Sequence, residues 1–151
     1  GGAADTAMVS DVVAGIAELG VLGECDALLS GYLGSAALGA VVLEALDALR
    51  AVNSRALFAL DPVIGDDGIG VYVADGVAEF LRDQLLPRAD IATPNRFELE
   101  IFTGRKISAI DDALAAMAEL RDQGPGLVVL TSAPGGDEGE FAGACAHTAL
   151  R

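Results

Sequence analysis

Short, almost uninterrupted apolar runs alternate along this chain with stretches whose apolar residues recur at helical spacing, and that alternation leaves few folds open. Asp26-Ala27-Leu28-Leu29-Ser30-Gly31-Tyr32 reads as a buried strand running into a glycine-bearing loop, in which Ser35 can cap the next helix. Arg55 to Leu60, Asp90-Ile91-Ala92 and Leu127 to Leu130 read as further strands. Strands apolar on both sides belong to parallel sheets covered by helices, and parallel neighbours need right-handed helical crossovers. The pattern therefore predicts one α/β domain over 1–151, a doubly wound parallel sheet with helices on both faces.

The helices follow from their apolar stripes and their start signals. Met8, Val9, Val12, Val13, Ile16 and Leu19 predict an amphipathic helix from Asp5 to about Gly20. Leu38, Val41, Val42, Leu43, Leu46 and Leu49 predict another from about Ala36 to Ala51. Asp75 reads as the cap of a helix whose inner face is Val77, Phe80, Leu81 and Leu85 and which ends before Pro87. Ser108-Ala109-Ile110-Asp111 reads as a capping box opening a helix through Leu114, Met117, Ala118 and Leu120 to Gly124. Phe141 to Leu150 carries a short alanine-rich helical pattern holding His147, the only histidine.

Composition removes several classes of function. A formal charge of -14, with nine Lys and Arg scattered along the chain, leaves no basic patch for a nucleic-acid backbone. Cys25 and Cys145 lie far apart without metal-ligand spacing, so neither a zinc site nor a disulfide framework is expected. No leader-like segment and no apolar run of about 18 residues appears, so a cytoplasmic location without membrane partners is expected.

Chemistry is expected at the C-terminal edge of the strands, where open α/β sheets bind ligands. Asp61 ends one strand and leads into a loop with Asp66, Asp67 and three glycines, Gly65, Gly68 and Gly70. Thr131 and Ser132 end another strand. Between them lies Thr93-Pro94-Asn95-Arg96-Phe97-Glu98-Leu99-Glu100, a strand, tight turn and helix start. Pro94 favours an extended Thr93, so Thr93, Asn95 and Glu98 gather at one helix N-terminus. Asn95 and Glu98 read as a capping box, or Glu98 joins Asp61 and Asp66 in holding Mg²⁺ carrying a nucleotide, with Thr131 and Ser132 donating to its phosphates. A Gly-x-Ser-x-Gly elbow, a dinucleotide fingerprint and a Walker loop are all absent, which turns the reading away from triad hydrolysis and from those phosphate motifs.

The runs Leu29-Ser30-Gly31-Tyr32-Leu33-Gly34-Ser35, Asp61-Pro62-Val63-Ile64-Gly65-Asp66, Thr93 to Glu100, Thr103-Gly104-Arg105-Lys106, and Gly124-Pro125 followed by Val128-Val129-Leu130-Thr131-Ser132 occur in an order and at spacings that resemble the pyridoxal kinases of the ribokinase-like superfamily. That resemblance implies ATP-dependent phosphorylation of the 5′-hydroxymethyl group of pyridoxal, pyridoxine or pyridoxamine, with Mg²⁺, a monovalent cation and a homodimeric assembly. It implies that Asp61, Thr93, Glu98, Thr131 and Ser132 bind ATP, that Asn95 and Glu98 serve the metal, and that Asp66 and Tyr72 sit on a loop near the phosphates. Phosphorylation of hydroxymethylpyrimidine by a related kinase, and a non-catalytic nucleotide-binding fragment, are the alternatives.

Family members begin with a strand ahead of the first helix here and end with a Gly-x-Gly-Asp loop whose Asp is the catalytic base. The chain is therefore expected to be an incomplete domain, truncated at both ends, with poor phosphate transfer and no assigned base. Asp137 in Gly135-Gly136-Asp137 is expected to be a loop carboxylate, because it follows Ser132 where the family inserts further strands.

Overall fold

The computed structural model describes residues 5–133 and the backbone of 144–147. Among the described residues five strands form the main sheet: β1 (Ala27–Ser30), β2 (Leu57–Leu60), β5 (Ile91–Ala92), β6 (Leu127–Leu130) and β7 (Ala144–His147), in that spatial order. Two shorter strands, β3 (Gly65–Asp66) and β4 (Gly70–Val71), form a separate antiparallel hairpin. Strands β1, β2, β5 and β6 are parallel, as the apolar runs require, and each crossover between them passes through helix: α2 (Ala36–Val52), α3 (Val77–Phe80), then α4 (Arg96–Thr103) with α5 (Ile110–Arg121).

Side-chain alternation separates two rows on the sheet. Phe58, Leu60, Ala92, Val128 and Leu130 are all fully buried and build the core with Leu46, Leu81, Leu85, Leu99, Met117 and Leu120 from the helices. The intervening residues Leu57, Ala59, Ile91, Leu127 and Val129 are only partly covered within the described residues. At the opposite end of the sheet from the rim, Arg50 of α2 holds the start of β5. Its Nη2 lies 2.7 Å from Asp90 Oδ2, which also accepts the Phe58 N–H at 2.7 Å, so one ion pair joins α2, β2 and β5.

Several local expectations change register or role. The first apolar run is an edge strand rather than a buried one: β1 pairs only with β2 among the described strands, and Leu29 is 73% exposed. Helix α1 (Thr6–Glu18), capped by Asp5, packs beside α2 but leaves Met8, Val12, Ile16 and Leu19 exposed. Gly76, in the left-handed conformation, precedes α3 in place of Asp75. The helical path does not stop before Pro87, because it continues through a wider π turn (Leu81–Leu85) into a 3₁₀ turn (Leu86–Arg88). Proline is tolerated at the start of such a turn, where no N–H is needed.

The box before α5 is shifted by one residue. Ala109 is the cap residue, and Asp112 rather than Asp111 accepts the N–H groups of Ser108 and Ala109, each at 3.1 Å. Leu114 faces solvent while Ala113, Ala116, Met117 and Leu120 point inward.

The alanine-rich pattern of 141–150 does not form a helix at its centre. Ala144–His147 is β7, antiparallel to β6, since pairing with an existing strand overrides alanine's intrinsic preference. Asp137 lies outside the described residues. No helix among the described residues is long and apolar enough to cross a membrane.

The two strand positions predict contrasting costs. Phe58→Ala, at a fully buried site, should lose about 3–5 kcal/mol. Leu29→Ala, on the exposed row of the edge strand, should stay within about 0.5 kcal/mol. Urea unfolding of both variants checks this; comparable losses would mean that β1 is covered in solution.

Candidate active site

Parallel register brings the strand ends level. Ser30 pairs with Leu60, Leu60 with Ala92 and Ala92 with Val128, so the residues that follow each strand emerge along one rim. Backbone bonds carry the alignment one step past the strands: Asp61 donates its N–H to the Ser30 carbonyl at 2.8 Å, Thr93 to Leu60 at 3.0 Å, and Thr131 to Pro94 at 3.0 Å. The Thr93 hydroxyl then donates to Asp61 Oδ1 at 3.1 Å, orienting that carboxylate. The Thr131 hydroxyl lies 3.4 Å from the Pro94 carbonyl, and Ser132 Oγ accepts the Arg96 N–H at 3.0 Å.

Helix α4 begins at this rim, and its capping box is complete. Asn95 Oδ1 accepts the Glu98 N–H at 2.8 Å, while Glu98 Oε2 accepts the Asn95 N–H at 2.9 Å. The same two side chains also reach the β3–β4 hairpin. Glu98 Oε1 accepts the Ile64 N–H at 2.9 Å, and Asn95 Nδ2 donates to the Gly65 carbonyl at 2.8 Å. Glu98 is thus only 3% exposed, with each carboxylate oxygen engaged by a backbone donor from a different segment. Gly65 permits this closeness: a Cβ there would stand 2.5 Å from both the Gly70 carbonyl oxygen and the Phe97 ring.

Burial pushes the Glu98 carboxyl above the usual glutamate range, against the opposing pull of N–H groups from Asn95, Ile64 and Gly65, and the charge on Asp61 pushes it the same way. Tyr72, half-exposed beside the hairpin, has its phenol raised by desolvation and then by the charges of Glu98, Asp66 and Asp61. Anionic groups are therefore crowded here. The cation set among them is Arg96, which pairs with Asp67 in the hairpin turn.

A family profile described as phosphomethylpyrimidine kinase matches residues 6–144. The chain belongs to that family. Among its curated relatives, a pyridoxal kinase PdxY from Rubrobacter xylanophilus is 47% identical over 132 residues, which cover 87% of this chain and 46% of the relative. A second from Granulibacter bethesdensis is 46% identical over 128 residues, covering 82% and 45%. The chain thus spans about half the length of the curated relatives it matches. In structure it is similar to the Leishmania donovani pyridoxal kinase solved with ADP and pyridoxine, at a TM-score of 0.79 and 28% identity over 88% of this chain and 46% of that one. A phosphomethylpyrimidine kinase from Clostridium difficile, at 22% identity and a TM-score of 0.77 over 97% of this chain and 59% of that one, shares the fold.

Within this kinase-family fold the residues singled out from sequence converge. Asp61 and Thr93 touch, Asn95 and Glu98 touch, and Tyr72 lies within electrostatic reach of Glu98, Asp66 and Asp61. Thr131 and Ser132 stand beside them through Pro94 and Arg96. What the motifs did not reveal is Arg96, whose Nε and Nη2 reach Asp67 Oδ2 at 3.0 and 2.7 Å, and exposed Tyr32, which adds to the shift on Tyr72. Arg96 had one signal, its place at the first helical position just after Asn95; its partner, twenty-nine residues earlier, had none.

Two consequences follow for Glu98→Gln. An amide presents an NH₂ to one of the two backbone donors, so the variant should lose about 1–3 kcal/mol of stability. The native carboxyl, with its raised folded value, holds a proton more tightly folded than unfolded. Its contribution therefore falls as pH rises from the ordinary glutamate range through the raised value, and returns on acidification. Urea unfolding at stepped pH should show the wild-type advantage over Glu98→Gln shrinking with rising pH across that window; a constant or growing gap would contradict the sign.

Proposed function

We propose that this chain supplies the nucleotide-handling part of an ATP-dependent kinase that phosphorylates the 5′-hydroxymethyl group of pyridoxal, pyridoxine or pyridoxamine. The observation that carries the reading is the convergence on one rim of a Thr93-oriented Asp61, the Asn95–Glu98 cap and the hydroxyls of Thr131 and Ser132. Pyridoxal kinases at 47% and 46% identity support this substrate class, and the structural relative solved with ADP and pyridoxine supports ATP as donor. The description of the family favours phosphorylation of a hydroxymethylpyrimidine as the second reading.

Phosphoryl transfer asks a protein mainly to position reactants and to stabilise charge. Ser132 accepts the Arg96 N–H through its oxygen, which leaves its proton for a phosphate oxygen. Thr131, hydrogen-bonded to Pro94 on the same rim, offers a second hydroxyl. Asp61, fixed by Thr93, and Asp66 on the hairpin are the carboxylates with capacity left for a metal-bound water, whereas both oxygens of Glu98 already hold backbone donors. No group of three or more acidic, histidine or cysteine side chains able to cage a metal occurs among the described residues. The donors present suit Mg²⁺, which keeps several waters and takes one or two carboxylates together with substrate phosphates. Asp61 is the residue we assign to it directly, with Asn95 and Glu98 fixing the surrounding shell. Bound there, the ion supplies positive charge against the transferred phosphoryl group.

A homodimer in the cytoplasm belongs to the same reading. Among the described strands β1 pairs on one side only, with β2, and an edge of that kind can pair with a second chain.

Calorimetric titration with ATP and Mg²⁺ tests the nucleotide site, and Thr131→Ala and Ser132→Ala should each raise Kd about two- to tenfold, the range of a single hydrogen bond. Phosphate transfer from ATP to the three vitamers and to hydroxymethylpyrimidine separates the substrate readings. Preference for the pyrimidine would replace the vitamer assignment, and the absence of any nucleotide binding would remove the kinase reading for this chain.

A further inference from the structure

The β3–β4 hairpin is attached to the rim at two places of different character. Its base is held by the Ile64 N–H to Glu98 and by the Gly65 carbonyl to Asn95, bonds that lie within the buried and part-buried interior. Its turn is held by a single side chain. Arg96 Nε and Nη2 both reach Asp67 Oδ2, at 3.0 and 2.7 Å, and Nη1 donates to the Ile107 carbonyl at 3.3 Å. The Arg96 backbone N–H meanwhile donates to Ser132 Oγ at 3.0 Å. One residue therefore connects the hairpin turn, the start of α4, the segment leading to α5 and the end of β6.

The two attachments respond differently to solvent. Bonds at the base are shielded, whereas the Arg96 and Asp67 side chains are 35% and 50% exposed and their attraction is screened by salt. Beyond that pair the turn has only local bonds, the Asp67 N–H to Asp66 Oδ1 at 2.7 Å and the Ile69 N–H to the Asp66 carbonyl at 3.2 Å, with two glycines of positive φ, Gly68 and Gly70, and an Ile69 side chain that is mostly exposed. Asp66 and Tyr72 ride on this hairpin, so its position sets theirs relative to Asp61 and Glu98.

We infer that Arg96 is a positioning residue: its fork on Asp67 latches the hairpin turn against the rim and sets how long a nucleotide is retained there. The retention half of this inference rests on the nucleotide reading above; the latch half does not. Lysine at 96 keeps the charge but cannot reach Asp67 and Ile107 together, because a single ammonium replaces a planar fork.

Amide hydrogen exchange on the nucleotide-free chain reads the latch. Arg96→Gln and Asp67→Asn should each speed exchange at the Ile69 and Tyr72 amides roughly two- to fivefold, the range of an exposed ion pair, while the amides of β2 stay unchanged. Arg96→Lys should fall between wild type and Arg96→Gln. Added salt at about 0.5 M should speed the same amides in the wild type and leave Arg96→Gln unaffected. The exchanged pair, Arg96→Asp with Asp67→Arg, should recover part of the protection lost in either single variant, since it restores the ion pair but not the bond to the Ile107 carbonyl. Dissociation of ATP with Mg²⁺, followed by stopped flow, should quicken in both single variants and slow again in part in the exchanged pair. Unchanged exchange in both single variants would overturn the latch, and faster exchange with unaltered dissociation would overturn its role in retention. A chain that binds no nucleotide would reject the kinase reading and the retention role with it, while the exchange rates would still decide the latch.

Discussion

The carboxylate of Glu98 holds together two parts of the molecule that the sheet alone would leave independent. One oxygen accepts from Asn95 at the start of its own helix and the other from Ile64 at the base of the hairpin. A buried charge is costly unless donors surround it, and here the donors are backbone N–H groups that would themselves be orphaned without it. Helix start and loop are thereby made conditional on one another. The Asp61–Thr93 pair repeats the device on a smaller scale, tying the ends of adjacent strands.

This double use dissolves the choice that the sequence posed at Asn95 and Glu98. A capping box and a rim that gathers polar groups are not competing readings, since the cap is what orders the rim. The geometry nevertheless assigns unequal freedom to its carboxylates. Glu98 is spent on the backbone, whereas Asp66 and Asp67 remain near solvent on the hairpin. A motif records which residue types recur together, but it does not record which of their lone pairs are already occupied.

Legibility in the sequence followed the range of the interactions. The strands β2, β5 and β6, the helix α2 with its Ser35 cap, and the Asn95 cap of α4 rest on local apolar period and local hydrogen bonds, and they were readable. The gathering of Asp61, Thr93, Glu98, Thr131 and Ser132 was readable because parallel register puts strand ends on one edge. Features decided by distant partners were not. An edge strand and an interior strand share the same apolar composition, so β1 could not be told from β2. The strand Ala144–His147 exists through its pairing with β6, against the preference of its alanines. Arg96 and Asp67 meet only because the hairpin folds back over α4, a contact with no sequence period.

The sheet has a further property with consequences for how the chain is made. From β1 to β7 the spatial order of its strands is the order in which they are synthesised, with the small hairpin standing aside. Among the described strands, β2, β5, β6 and β7 each follow in the chain the neighbour they pair with, and none is inserted between two earlier ones. Synthesis is slow compared with the closing of such local contacts. Each described pairing can therefore close as soon as its second strand has been made, without displacing a pair already formed.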